Sequence, residues 1–174
     1  LTLSTYPLVV HRGTEAAIRA GNIYLVYTLA GGAVFLTGIV WLYGLLGQVE
    51  FTHGGVAAVL GLEYTSQLQV IFLLLIAGLG VKAALVPLHG WLPKGMIAPA
   101  PVSALLHAVA VVKAGAFGII RIVYEVYGIE FSQTLNLLLP LAIVASITII
   151  LGSLRALWQD DLKRRLAYST ISQV

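Results

Sequence analysis

Few folds tolerate charges and prolines in the middle of an apolar run, and residues 78–113 are such a run. Lys82, His89, His107 and Lys113 stand there among Pro87, Pro93, Pro99 and Pro101, in sequence that otherwise reads as hydrocarbon-spanning helix. Both features are expensive in a bilayer: a charge loses its water, and a proline strips a backbone carbonyl of its donor. Composition identifies the bilayer as the solvent. Hydrophobic residues make up 59% of the 174 residues and charged ones 10%, where soluble domains carry about 25%. Mean hydropathy is +0.96. These values specify an all-α fold, a polytopic transmembrane helix bundle.

The absence of cysteine excludes disulfides, thiolate metal sites and cysteine-ligated iron–sulfur clusters within the chain. The basic residues flank apolar spans rather than forming an aromatic-interleaved face, which argues against nucleic acid as a partner. No cofactor and no metal are expected. The chain opens on Leu1 without a signal-peptide pattern, and a new apolar segment starts just before Val174. Both ends read as cuts in a longer polytopic protein.

Residues 1–20 read as the tail of a helix followed by an interfacial turn or amphipathic helix around His11, Arg12, Glu15 and Arg19. Spans are expected at about 22–47, 70–98, 102–124 and 135–154, with a further helix starting at 166–174, by the ~20-residue length that a bilayer requires. Gly31, Gly32 and Gly38 would let another helix approach the first span closely. Residues 48–69, with Glu50, His53 and Glu63, read as a loop with a partly re-entrant or surface helix. The second span should be discontinuous, broken near Pro87, which leaves the Ala83 carbonyl without its helical donor while Gly78, Gly80 and Gly90 loosen the backbone. A plain proline kink is the alternative. Glu125 and Glu130 fall in the loop after the third span.

If the spans alternate, one side receives Arg12, Arg19, Lys94, Arg155, Lys163, Arg164 and Arg165, and the other only Arg121 among the basic residues. That asymmetry puts 11–19, 94 and 155–165 in the cytoplasm.

Lys82 lies 12 residues after Val70, roughly 18 Å along a helix, near mid-membrane and beyond snorkelling range. Its insertion costs about 2.5–3.5 kcal/mol there, which points to function, with a structural ion pair as the alternative. Desolvation would push the lysine toward neutrality and a nearby carboxylate would reverse that, so movement of the carboxylate's partner could make Lys82 hold or release a proton. His107 sits one turn after Ser103 on the same face, and histidine titrates near cellular pH. Lys113 is about 9 Å further along and about 120° around the helix, so water or a polar group must bridge it to His107. Lys82, His107 and Lys113 thus read as stations of a proton path, with Pro87 and Gly80 at the helix break and Ser103 and His89 in support. For His89 a solvated or capping role serves as well. Lys94, His11 and His53 read as surface residues. Residues 160–165 (DDLKRR) read as a surface turn that sets topology, or as a docking site. Two other classes stay open: a haem site using His89 and His107, for which the lysines are poor company, and a structural anchor whose charges pair with neighbouring subunits.

Residues 81–121 (VKAALVPLHGWLPKGMIAPAPVSALLHAVAVVKAGAFGIIR) resemble the antiporter-like membrane subunits of respiratory complex I, the Mrp-type sodium/proton antiporters and the membrane-bound hydrogenases. Residues 160–173 (DDLKRRLAYSTISQ) are the second matching block. The resemblance implies an inverted-repeat fold of which this chain holds helices six to ten. Lys82 would be the lysine of the discontinuous seventh helix, and His107 and Lys113 the titratable positions of the eighth. It implies proton translocation by a subunit without redox chemistry of its own in a redox-driven complex. A cation/proton antiporter assembly is the alternative. Partners would be lipid, other membrane subunits and protons, with sodium as a second cation, in a bacterial or archaeal cell membrane. The glutamate that pairs with the seventh-helix lysine and the titratable residue of helix twelve would lie outside this stretch.

Overall fold

The computed structural model describes residues 2–48, 54–106 and 111–174, and every regular element among them is helical. His53, Glu50 and His107 lie outside the described residues.

A short helix α1 (Thr2–Val9) turns back on the long helix α2 (Glu15–Leu46). The Thr14 hydroxyl accepts the Ala17 amide at 3.2 Å and Glu15 occupies the first turn, so this start is both capped and matched to the helix dipole. Residues 15–21 are therefore continuous with the helix that carries the first expected span. At 32 residues, α2 is about 48 Å long, well beyond the ~30 Å hydrocarbon thickness. Gly47, at φ 70°, ends it. A buried bond of 2.6 Å between Thr5 Oγ1 and Tyr24 Oη ties α1 to α2.

Residues 54–64 carry a 3-10 segment (Val56–Tyr64), and α3 (Thr65–Ala83) follows, starting before the expected Val70. α2 and α3 pack antiparallel through glycines. A Cβ on Gly31 would sit 2.8 Å from Val81 Cβ, one on Gly78 2.5 Å from Phe35 Cβ, and one on Gly38 3.0 Å from Leu75 Cδ2. Gly31 and Gly38 thus serve the close approach expected of them. Gly32 does not, having nothing within 4 Å.

Beyond α3 come a 3-10 turn (Leu88–Gly90), α4 (Trp91–Gly95) and α5 (Ala100–Ala104). The expected span at 102–124 is not one uniform helix among the described residues: α5, α6 (Val112–Arg121) and a π-helical turn (Ile122–Tyr127) share it. Glu125, expected in a loop, lies on that π-helical turn and pairs with Arg121 at 2.6 Å. After α7 (Ile129–Thr134), α8 (Leu138–Leu157) and α9 (Leu162–Gln173) form an antiparallel hairpin in which Gly152 lies against Ser172. Among the described residues, three stretches are long and apolar enough to cross a membrane: Glu15–Leu46, Val56–Gly95 and Leu138–Leu157. One buried cluster around Tyr24, Val81, Trp91 and Ile171 surrounds the end of α3; another, around Leu68, Phe72 and Tyr127, surrounds its start.

Candidate functional site

The backbone of α3 stops at Ala83, earlier than the proline alone would dictate. Ala84 turns left-handed (φ 58°, ψ 39°), the Leu85 amide donates to Gly80 O at 2.8 Å, and the Ala84 amide to Val81 O at 3.3 Å. This is the double closure with which helices commonly end, normally with glycine in the left-handed position. Here a fully buried alanine fills it, at a cost of about 1–2 kcal/mol. Gly80 lies beneath the turn, where a Cβ would come within 3.2 Å of Leu85 Cδ1. Pro87 follows a cis peptide bond and leads into the 3-10 turn. The break therefore starts at Ala84, and Pro87 prevents the helix from resuming at once.

Lys82 is thereby in the last turn of α3, half-buried, and among the described residues its ammonium has no hydrogen-bond or ion-pair partner. The break also frees carbonyls. In an uninterrupted helix the Val86 amide would reach Lys82 O and residue 87 would serve Ala83 O. Proline donates nothing, and the Val86 amide goes instead to Thr148 Oγ1 of α8 at 3.1 Å. The negative end of the α3 dipole thus lies beside the lysine. Such an end returns up to about 2 kcal/mol to a cation in a partly buried setting.

Three side chains that sequence reasoning passed over brace this segment. Trp91, fully buried, donates its indole N–H to Val81 O at 2.7 Å and packs its ring on Tyr24, 5.4 Å between centroids. Thr148 holds Val86. Lys163, expected to be a surface cation, donates to Ala98 O at 3.0 Å, the carbonyl that Ser103 Oγ also reaches at 3.1 Å. A buried indole in an apolar stretch does call for an acceptor, so Trp91 carried a signal. Thr148 and Lys163 find their partners 62 and 65 residues away, and nothing local announces that.

His89 is half-buried, its ring centroid 6.3 Å from that of Tyr168 on α9. Its Nδ1 is buried without a partner among the described residues. A titratable nitrogen of that kind can take or give a proton through a transient water.

α6 meets the end of α3 at Gly115, where a Cβ would lie 2.3 Å from Ala83 N and 2.8 Å from Lys82 C. Lys113, two residues earlier, is about 200° around the same helix and is exposed. The structure therefore sets Gly115 against the backbone of Lys82 and Ala83, with Trp91 on Val81 O and Thr148 on the Val86 amide, and places Lys113 on the far side of α6. Two cavities flank the bundle. One of about 480 Å³ lies between α2, α3 and α6, with Phe35, Leu79 and Phe117 in its wall and Arg121 and Gly47 among its lining residues. The other, of about 510 Å³, gathers Arg19, Lys94 and Arg164 with Glu15 and Asp161. Lys82 lines neither. Among the described residues no cluster of His, Asp and Glu could hold a metal ion.

The family model described as NADH:quinone oxidoreductase/Mrp antiporter, TM matches residues 1–174. The chain is 36% identical over 178 residues to NADH-quinone oxidoreductase subunit N of Desulforudis audaxviator, covering 99% of this chain and 34% of that protein. Among solved structures it is similar to a chain of the membrane-bound sulfane sulfur reductase, an archaeal respiratory membrane complex. The TM-score is 0.82 at 33% identity, covering 99% of this chain and 34% of that one. It is likewise similar to a chain of the Mrp complex from Dietzia sp., with TM-score 0.80 at 26% identity and coverage of 97% and 31%. The chain spans about a fifth to a third of the length of the curated relatives it matches.

Proposed function

The chain belongs to the NADH:quinone oxidoreductase/Mrp antiporter transmembrane family, and on that footing we propose that it forms the central part of a proton-translocating membrane subunit. The observation that carries this is Lys82: a half-buried ammonium in the last turn of a broken helix, with no partner among the described residues. A group whose charge is only partly compensated by the helix end can change protonation when a carboxylate or a water file approaches. Lys82 is the carrier, His89 with its unpartnered buried nitrogen a relay beside the break, and His107 and Lys113 further stations reached through water.

The parent assembly is a redox-driven respiratory complex in which this subunit carries no redox centre. The subunit N relative and the sulfane sulfur reductase neighbour support that choice. The likeness to the Mrp complex supports a second reading, a cation/proton antiporter assembly in which sodium moves against protons. In either case other membrane subunits are the partners. The grouping of Arg19, Lys94 and Arg164 around one cavity, while Arg121 lines another, favours a cytoplasmic placement of 11–19, 94 and 155–165. The setting is a bacterial or archaeal cell membrane.

The native complex, purified and returned to proteoliposomes, should build an uncoupler-sensitive pH gradient. Flavin and iron–sulfur absorbance in that preparation, with a gradient driven by an electron donor, supports the redox-driven assembly; a gradient driven by sodium in a preparation without those chromophores supports the antiporter. No proton movement under either driving force refutes both.

A further inference from the structure

We propose that Thr148 is a positioning residue for proton transfer: its hydroxyl takes the Val86 amide that the turn at Ala84 leaves without a helical acceptor, and so fixes the broken segment beside the last turn of α3. The inference rests on the proton-carrying role of Lys82 and goes further, to what holds that site open.

Three observations carry it. Val86 is four residues beyond Lys82, so in a continuous helix its N–H is the donor to Lys82 O; in the structure it donates to Thr148 Oγ1 at 3.1 Å. The threonine is 2% exposed, and its own O–H donates to Val144 O at 2.7 Å, which orients a lone pair outward from α8 toward Val86. Back-bonding of that kind is ordinary for a threonine in an apolar helix; accepting a backbone amide from a different span is not. Finally, α8 and α9 hold the broken segment at successive points: Thr148 at Val86, Tyr168 beside His89, and Lys163 at Ala98 O. The first of these bonds lies nearest the last turn of α3, four residues from Lys82.

Without the hydroxyl, the Val86 amide loses its protein acceptor, a loss that a membrane interior penalises strongly. The turn at Ala84 keeps that amide from Lys82 O, so the segment after the break must shift to find another acceptor. The last turn of α3, on which the ammonium sits, shifts with it, and proton passage slows while the fold persists.

The test compares Thr148→Val, which keeps the shape and removes the hydroxyl, with Thr148→Ser, which restores it, and with Lys82→Ala. All three are made in the assembled complex in proteoliposomes. Assembly, the driving reaction, proton flux and amide exchange of the peptide containing Val86 are measured together. Thr148→Val is expected to assemble, to lose proton flux by roughly tenfold, the effect of about one hydrogen bond, and to change exchange at Val86. Thr148→Ser is expected to stay within about twofold of wild type. If the valine methyl blocks assembly, Thr148→Ala replaces it in the same comparison. Wild-type flux in Thr148→Val, or equal loss in the serine and valine variants, overturns the proposal. Normal flux in Lys82→Ala instead refutes the carrier role on which it rests.

Discussion

Replacing Gly115 by alanine tests the packing that seats the candidate site, and the structure supplies the scale. The added Cβ would lie 2.3 Å from Ala83 N and 2.8 Å from the Cα of Ala83 and the carbonyl carbon of Lys82. Ordinary contacts begin near 3.4 Å, so α6 must retreat from α3 by about 1 Å, and the atoms it meets are backbone and cannot swing aside. Overpacking of this sort costs about 1–3 kcal/mol. Gly118→Ala meets the flexible tip of Leu79, with Cδ2 2.8 Å away, and should cost less. Gly32→Ala meets nothing within 4 Å and should gain up to about 1 kcal/mol from helix propensity. Thermal unfolding of the three variants in the purified complex should therefore rank Gly32→Ala above Gly118→Ala above Gly115→Ala, and proton flux should fall sharply only in the last. If Gly115→Ala is as stable and as active as Gly32→Ala, α6 does not press on the end of α3 and this account of the site fails.

Trp91→Phe removes the donor to a buried carbonyl and trims an aromatic contact, so denaturation midpoints should fall by the equivalent of about 2 kcal/mol; an unchanged midpoint would mean that the indole bond adds nothing. Ala84→Gly should stabilise the break by about 1 kcal/mol by relieving a left-handed alanine, whereas Ala84→Val should destabilise it, and chemical denaturation of the complex distinguishes the two signs.

How far the sequence foretold this structure differs from residue to residue, for physical reasons. Lys82 announces itself because a charge in an apolar run is costly, whether it serves transport or an ion pair. Gly31 and Gly38 do so because small residues spaced along a span mark a close approach. The break could be anticipated but not located: Pro87 is visible, yet the turn falls at Ala84, and an alanine gives no notice that it will turn left-handed. Thr14 and Glu15 do form a start signal. Counting apolar residues hides it, since a membrane helix can begin in water well before its hydrocarbon-facing part. The least legible contacts are those of Thr148 and Lys163, which depend on how α8 and α9 fold back on a segment far away in the chain. Lys113 is a different case. It is expected as a station beyond His107, and helical phase sets it exposed on the far face of α6, because Gly115 is the residue that meets α3 there.

The central claim is that protons cross by way of Lys82, and proton flux in proteoliposomes containing the complex with Lys82→Ala tests it most directly. The account predicts an assembled complex whose driving reaction persists while its proton flux falls to the uncoupled background. Flux equal to wild type, in a complex of the same composition, would contradict it.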